Sequence, residues 1–488
     1  MGALLTFSYA PFSIWPVMLA CLSGFFYLLL ISPSGFKSGF AFGLGWFGAG
    51  ISWVHVSISE FGGLPLAGSI GLMLILCSYL ALYPAIFASL LKHRVKPSYW
   101  LIAAPLLWVV VEWLRSWLLT GFPWLSIGYS QIDSPLAGWI AVIGESGLSA
   151  LLIAICISIS TGLRKHNIRA PAFLLVVSIL GGWTLDQYDW VSVKAQPVSI
   201  AMVQGNIKQE MRWIPEQELS TMAKYQKMTQ AHWSNDIIIW PEAAIPQLES
   251  TAEDYLVQLD EKALQTDTGL ITGIVNYNYN TRQVFNNLIV LGKQSNTDKT
   301  EHYHYLHSNR YDKHHLLPIG EFIPFENVLR KLAPIFDLPM SSFTQGDFQQ
   351  QNLLAKGYHL APAICFEIAF PRQISANLTE QTDFIITVSN DAWFGASHGP
   401  DQHLEIAQVR AKEFGLPVLR ATNNGITAFI DHKGHIQSRL PQFEAAVLSD
   451  DIFLTDGVTP YRMLGDLPLW ILTLVGLPLV FWRQKRAK

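Results

Sequence analysis

Ala361-Pro-Ala-Ile-Cys-Phe-Glu367 is a short apolar run that ends on a thiol and a carboxylate. Such a run fits a buried strand, and the end of a strand in an α/β sheet is where a site is usually built. What stands at this strand end is Cys365. It is the one cysteine outside the long apolar segments, since Cys21, Cys77 and Cys156 all lie inside them. A free thiol has a pKa near about 8.5, so a nucleophilic cysteine needs a proton acceptor and a nearby positive charge. Two upstream stretches supply those types. Trp240-Pro-Glu-Ala-Ala-Ile-Pro246 carries Glu242 at the end of another apolar run, and Tyr311-Asp-Lys-His-His-Leu-Leu-Pro318 carries Lys313. Glu242, Lys313 and Cys365 read as base, cation and nucleophile.

Around these residues, short β-rich runs alternate with helical periods. Strands are expected at 198–203, 237–240, 270–275, 287–291, 361–365, 384–388, 417–420 and 427–430, and helices at 215–233, 254–265 and 402–414. The alternation indicates an α/β class. No internal repeat and no low-complexity segment interrupts it.

The rest of the chain has a different composition. Of 488 residues 50% are hydrophobic and 17 are Trp, and the mean hydropathy of +0.26 is high for a soluble enzyme. Apolar runs long enough to cross about 30 Å of hydrocarbon fall near 13–32, 39–58, 64–91, 99–119, 136–162, 168–185 and 467–482, which predicts about seven spans. Met1 to Pro11 is apolar but too short to span and lacks a signal-peptide pattern; it reads as a truncated first helix.

Three regions follow: a transmembrane helical bundle over 1–185, an external domain over 186–466, and a last transmembrane helix with a basic cytoplasmic tail over 467–488. Basic residues set the expected orientation. Lys37, Lys92 to Lys96, Arg164 to Arg169 and Arg483 to Lys488 fall at alternate span ends, so those ends are cytoplasmic and the long polar insert lies outside. An external domain would use paired cysteines as staples, whereas a lone thiol suits a nucleophile. The net charge of −4 provides no basic field, so nucleic acid is not an expected partner.

Taken in order, Trp-Pro-Glu-Ala-Ala-Ile-Pro at 240, Tyr-x-Lys-x-His-Leu-x-Pro-x-Gly-Glu from Tyr311, Cys-x-Glu at 365, Ser-Asn-Asp-Ala-Trp-Phe-Gly at 389 and Arg-Ala-Thr-Asn-Asn-Gly at 420 resemble the nitrilase superfamily. With the flanking spans, nearly the whole chain resembles the apolipoprotein N-acyltransferases, bacterial inner-membrane enzymes that add the third acyl chain to lipoproteins. That resemblance implies a nitrilase-like αββα sandwich inserted between transmembrane α-helices. It implies Glu242 as general base, Lys313 as stabiliser of the oxyanion and Cys365 as nucleophile. Glu321 and Glu367 match further essential carboxylates, and Trp213, Trp393 and Asn286 match residues around the site. The family usually has Tyr after the nucleophile, where this chain has Phe366. It also usually has a full helix ahead of the first span found here.

The implied chemistry is transfer from a phospholipid acyl donor to a diacylglyceryl apolipoprotein acceptor through a thioester, on the outer, periplasmic face of the membrane. It calls for no cofactor. Loops bearing Phe122, Trp124, residues 338–340, Trp393 and Phe394 are expected to form an apolar entrance. Two other functions fit parts of the pattern: a membrane-tethered amidase hydrolysing small amides, and a membrane scaffold whose nitrilase domain is dead. The intact Glu242, Lys313 and Cys365 disfavour the scaffold, and spans on both sides of the domain have no use in the amidase. His302, His304, His307, His314 and His315 lack the spacing of a metal site, so no metal is expected. Glu112 and Arg115, at i, i+3 spacing near a span end, are expected to pair and snorkel to the outer surface, or to bind a lipid headgroup.

Overall fold

The computed structural model describes residues 1–61, 65–211, 214–295, 302–318, 320–322 and 343–486. Its contacts divide the chain into two units, one of residues 1–190, 396–409 and 458–488, the other of residues 191–395 and 410–457.

In the first unit, helices over Leu66–Arg94, Pro97–Arg115, Ala137–Arg164, Arg169–Gln187 and Leu467–Arg486 are long and apolar enough to cross a membrane. Two expected spans differ. Pro16–Ile31 has only 16 residues, about 24 Å at 1.5 Å per residue, short of a bilayer core. The run over 39–58 is broken: helices Gly35–Gly50 and Val54–Glu60 meet at 61°, and only as one bent span would they make a sixth. Seven spans therefore become five or six by length and composition among the described residues. Gly35, Gly39 and Gly43 recur at every fourth position because Gly35–Gly50 lies directly against Leu66–Arg94. A Cβ at Gly35 would stand 2.4 Å from Ala88 O, and one at Gly39 2.3 Å from Pro84 O.

This unit buries a charged cluster. Glu112 and Arg115 pair at 3.2 Å as their spacing predicted, but at 7% and 3% exposure they do not snorkel. Arg115 Nη1 donates to the carbonyls of Phe122 and Trp124 at 2.6 and 2.7 Å. Ser126 Oγ bonds both Glu112 and Glu145, and Trp108 Nε1 donates to Glu112 Oε2 at 3.0 Å. The cluster thereby fixes the loop that follows the helix.

The second unit has the expected α/β layering. Strands β1 (Val191–Gln204), β2 (Ile237–Ile239), β3 (Ile245–Leu248), β4 (Gly269–Asn278), β5 (Gln283–Gly292) and β6 (Arg310–Asp312) begin one sheet. Strands β7 (Leu353–Ala355), β8 (Tyr358–Ile364), β9 (Thr382–Ser389), β10 (Val418–Thr422), β11 (Ala428–Ile430) and β12 (Ile436–Arg439) form the other, in reverse order. Strand β13 (Ala446–Gly457) returns to the first sheet, antiparallel to β1. All eight expected strands are present. The two-residue alternation sorts their side chains: Val198, Ile200 and Met202 of β1 point into a core shared with Leu360, Ile364, Ile386 and Leu419 of the other sheet. Ala201 and Val203 face the opposite way, onto Met222, Tyr225, Leu256 and Leu259 of helices Pro215–Thr229 and Glu253–Gln265. Helix Pro371–Asn377 lies against β8.

At the heart of both sheets the strands are parallel: β1, β2 and β4 in one, β8, β9 and β10 in the other. Parallel strands present their carboxyl ends on one side, where α/β folds place ligands. Glu242 comes three residues after β2, Cys365 directly after β8, Asn390 directly after β9 and Asn423 directly after β10.

Candidate active site

Cys365 leaves β8 with φ +55°, in the left-handed region, and opens a short 3-10 helix over Cys365–Ala369. For a non-glycine residue that conformation costs about 1–3 kcal/mol and needs support from its surroundings. Glu367 gives it. Its carboxylate, fully buried, accepts the Ile364 N–H at 2.7 Å, the His314 and His315 N–H groups at 2.8 and 2.9 Å, and Gln373 Nε2 at 2.6 Å. The Tyr311 hydroxyl donates to it as well, 3.1 Å from each oxygen. Burial raises the Glu367 pKa, opposed by those backbone donors and by the Lys313 charge. Glu367 therefore joins the turn of the thiol to the segment that carries Lys313.

Lys313 follows β6, is 1% exposed, and its backbone N–H donates to Asn286 O at 2.8 Å. Its Nζ stands 2.8 Å from Glu321 Oε2 and 3.6 Å from Glu242 Oε1. Burial alone would lower its pKa, but the carboxylates of Glu321 and Glu242 more than reverse this and hold it above the ordinary value. Lys313 is a fixed ammonium. Asn286 Nδ2 bridges the two carboxylates, 2.8 Å from Glu242 Oε1 and 2.9 Å from Glu321 Oε1.

Glu242 receives a further bond, to Oε2, from the Asn390 N–H at 2.9 Å. The turn after it passes over β4 at Gly273, where a Cβ would lie 2.3 Å from Ala243 N and 2.8 Å from Glu242 Cα. Only glycine fits there. The charges of Glu242 and Lys313 both act on the Cys365 thiol, which is partly exposed yet closely surrounded by protein. Burial pushes the thiol well up, Glu242 adds to the rise and Lys313 opposes it. At neutral pH the sulfur keeps its proton. A thiol in this state would need a base to become a nucleophile, and the carboxylate of Glu242 and the ammonium of Lys313 both act on it.

The fold therefore brings Glu242, Lys313, Cys365, Glu321, Glu367 and Asn286 together. Phe366 is buried, packing edge-on against Phe370 with centroids 5.1 Å apart and near His315 at 5.7 Å. Trp393, half-exposed, and Phe394, buried, occupy the short helix Asp391–Phe394 that follows β9. Trp124 belongs to the other unit, where its buried indole donates to Gln402 Oε1 at 2.8 Å. Trp213 and residues 338–340 lie outside the described residues. No group of three or more metal-ligating side chains occurs among the described residues. Sequence reasoning gave no role to Gly273, Asn390 or Asn423, although the last two stand in quoted motifs.

With the geometry in hand, the comparisons with known proteins agree along the chain. Residues 1–158 match the model of the apolipoprotein N-acyltransferase N-terminal domain, and residues 199–458 match that of the carbon-nitrogen hydrolases. A relative from Vibrio parahaemolyticus, called apolipoprotein N-acyltransferase, is 45% identical over 495 residues, covering 100% of this chain and 96% of its own length. The chain belongs to the apolipoprotein N-acyltransferase family. A relative of the same description from Vibrio cholerae is 45% identical, covering 100% of this chain and 97% of its own. One from Haemophilus influenzae is 39% identical over 98% of this chain and 92% of its own. Membership makes the protein an acyltransferase with a nitrilase-type catalytic domain.

Proposed function

We propose that the protein moves an acyl chain from a membrane phospholipid to the α-amino group of the N-terminal diacylglyceryl-cysteine of apolipoproteins, by two displacements through a thioester on Cys365. The observation that carries this reading is the buried ammonium of Lys313 between Glu242 and Glu321, with both catalytic charges acting on one partly exposed thiol. In the first half-reaction Glu242 takes the thiol proton as sulfur attacks the ester carbonyl. Lys313 and the Phe366 N–H stabilise the oxyanion, and the lysophospholipid leaves with the proton returned by Glu242. In the second, the amine attacks the thioester, Glu242 accepts its proton, and the sulfur departs and is reprotonated as the amide forms. Glu321 holds Lys313, and Trp213, Trp393 and Phe394 are assigned to substrate binding.

The apolar helices on either side of the catalytic residues in the chain support a multi-pass protein of the bacterial inner membrane, with the catalytic domain, residues 186–466, on the periplasmic side. Both substrates are lipids and would reach the site by lateral diffusion. Keeping water from the thioester separates a transferase from an amidase.

With the amine withheld, phospholipid should leave one acyl chain on Cys365, seen as a rise in intact mass. Hydroxylamine should remove it, and a diacylglyceryl-cysteine peptide should discharge it as an N-acylated product. Cys365→Ala should form neither, while Cys21→Ala, Cys77→Ala and Cys156→Ala stay active. Free fatty acid as the main product in the presence of the peptide would replace this reading with hydrolysis. For orientation, a thiol reagent that cannot cross the inner membrane should label a cysteine introduced at Glu261 and miss one at Lys165, both exposed positions; the reverse pattern would invert the topology.

A further inference from the structure

Two motifs, Ser389-Asn-Asp391 and Arg420-Ala-Thr-Asn-Asn-Gly425, contribute nothing to the reaction directly, yet they end the neighbouring parallel strands β9 and β10. Their turns interlock. Asn423 is 1% exposed, and its side-chain amide makes four hydrogen bonds. Its Nδ2 donates to Asn390 Oδ1 at 2.9 Å and to Ile207 O at 2.7 Å; its Oδ1 accepts the Ile207 N–H at 2.9 Å and the Tyr225 hydroxyl at 3.4 Å. The backbone of Asn423 adds two more, its N–H donating to Ser389 O at 3.0 Å and its carbonyl accepting from Asn206 N at 2.7 Å. Beside it, Arg420 pairs with Asp391 at 2.6 Å, both fully buried. Gly425 passes so close that a Cβ would sit 2.2 Å from Asp391 Oδ2.

What this assembly holds is the backbone at Asn390, whose N–H donates to Glu242 Oε2. The Asn390 side chain is pinned on both sides, by Asn423 and by Gln209 Oε1. The carboxyl ends of β1, β9 and β10, drawn from both sheets, are thus locked around one bond to the base. We infer that Asn423 is a positioning residue for catalysis: acting through Asn390, it fixes the carboxylate of Glu242 for both half-reactions. A side chain of this size must donate twice and accept twice here, which asparagine does and aspartate does not. An aspartate would set an oxygen, in place of Nδ2, against both Ile207 O and Asn390 Oδ1.

The inference rests on Glu242 as general base, and the test separates the two. Each half-reaction is followed by intact mass in single turnover, with phospholipid alone and then with the diacylglyceryl-cysteine peptide. Because a displacement of about 1 Å at a catalytic group can cost about 10²-fold, Asn423→Asp should slow acylation and discharge alike, by about 10- to 100-fold, with the peptide concentration dependence unchanged. Asn390→Ala, which leaves the backbone N–H but removes its clamp, should slow both steps in the same direction, and serves if Asn423→Asp does not fold. In a Glu242→Gln background neither substitution should cost more than about twofold, because the base they position is gone. The inference is overturned if the folded variants run at the wild-type rate, if only one half-reaction slows, or if the full loss recurs without Glu242. An active Glu242→Gln would instead overturn the base assignment itself.

Discussion

Two buried clusters in this molecule have nearly the same ingredients and do different work. In the helical unit Arg115 stands with Glu112 and Glu145; in the catalytic unit Lys313 stands with Glu242 and Glu321. The difference lies in the cation and in what it faces. The planar fork of Arg115 bonds Glu112 and two backbone carbonyls, so its charge serves to hold a loop. The compact ammonium of Lys313 is fixed by two carboxylates and acts on a thiol. A buried charge cluster is thus no sign of catalysis by itself; the role proposed for Lys313 rests on the thiol beside it.

The contrast is most directly attacked at Arg115. Arg115→Gln leaves a buried carboxylate and two carbonyls without their partner, which should destabilise the protein by about 3–5 kcal/mol, measured by unfolding in detergent. Unchanged stability with transfer abolished would mean that the two clusters share a catalytic role.

Much of this comparison was legible in the chain. The i, i+3 spacing of Glu112 and Arg115 foretold their pairing, and the apolar runs ending near Glu242 and Cys365 foretold two strands of the sheets. Depth was not legible, because Ser126, which donates to Glu112 from the loop beyond the helix, lies in another segment. The fixing of Glu242 was equally hidden, since Gly273 closes on it from a neighbouring strand and Asn390, held by Asn423, reaches it from the other sheet. Strand β13 was missed because the run Ser449-Asp-Asp451 within it is polar, as suits the edge of the first sheet. The broken span at 51–53 was missed because Ile51 and Trp53 are as apolar as a continuous helix would need.

Charge removal at the site sharpens the contrast next. Lys313→Met and Glu242→Gln should each lower acyl transfer by about 10²–10³-fold, yet move the thiol in opposite directions. Lys313 holds the thiol pKa down, so its loss should slow alkylation of Cys365 by iodoacetamide at neutral pH. Glu242 holds it up, so its loss should hasten alkylation. Unchanged alkylation in both variants would show that burial alone governs the sulfur. The smallest effect is expected at Phe366, where the ring packs on Phe370 and no hydroxyl is required. Phe366→Tyr should keep transfer within about threefold of wild type, as a swap that keeps the aromatic ring on Phe370.

One property of Cys365 reaches beyond turnover. Peroxide and disulfide exchange attack through the thiolate, and sulfenic acid forms fastest on exposed sulfurs of low pKa. On the proposed mechanism, a sulfur whose pKa burial and Glu242 raise, ionised only as substrate arrives, would be chemically quiet between turnovers. In the oxidising space proposed for the catalytic domain, that quiet would spare the enzyme a dedicated reductant.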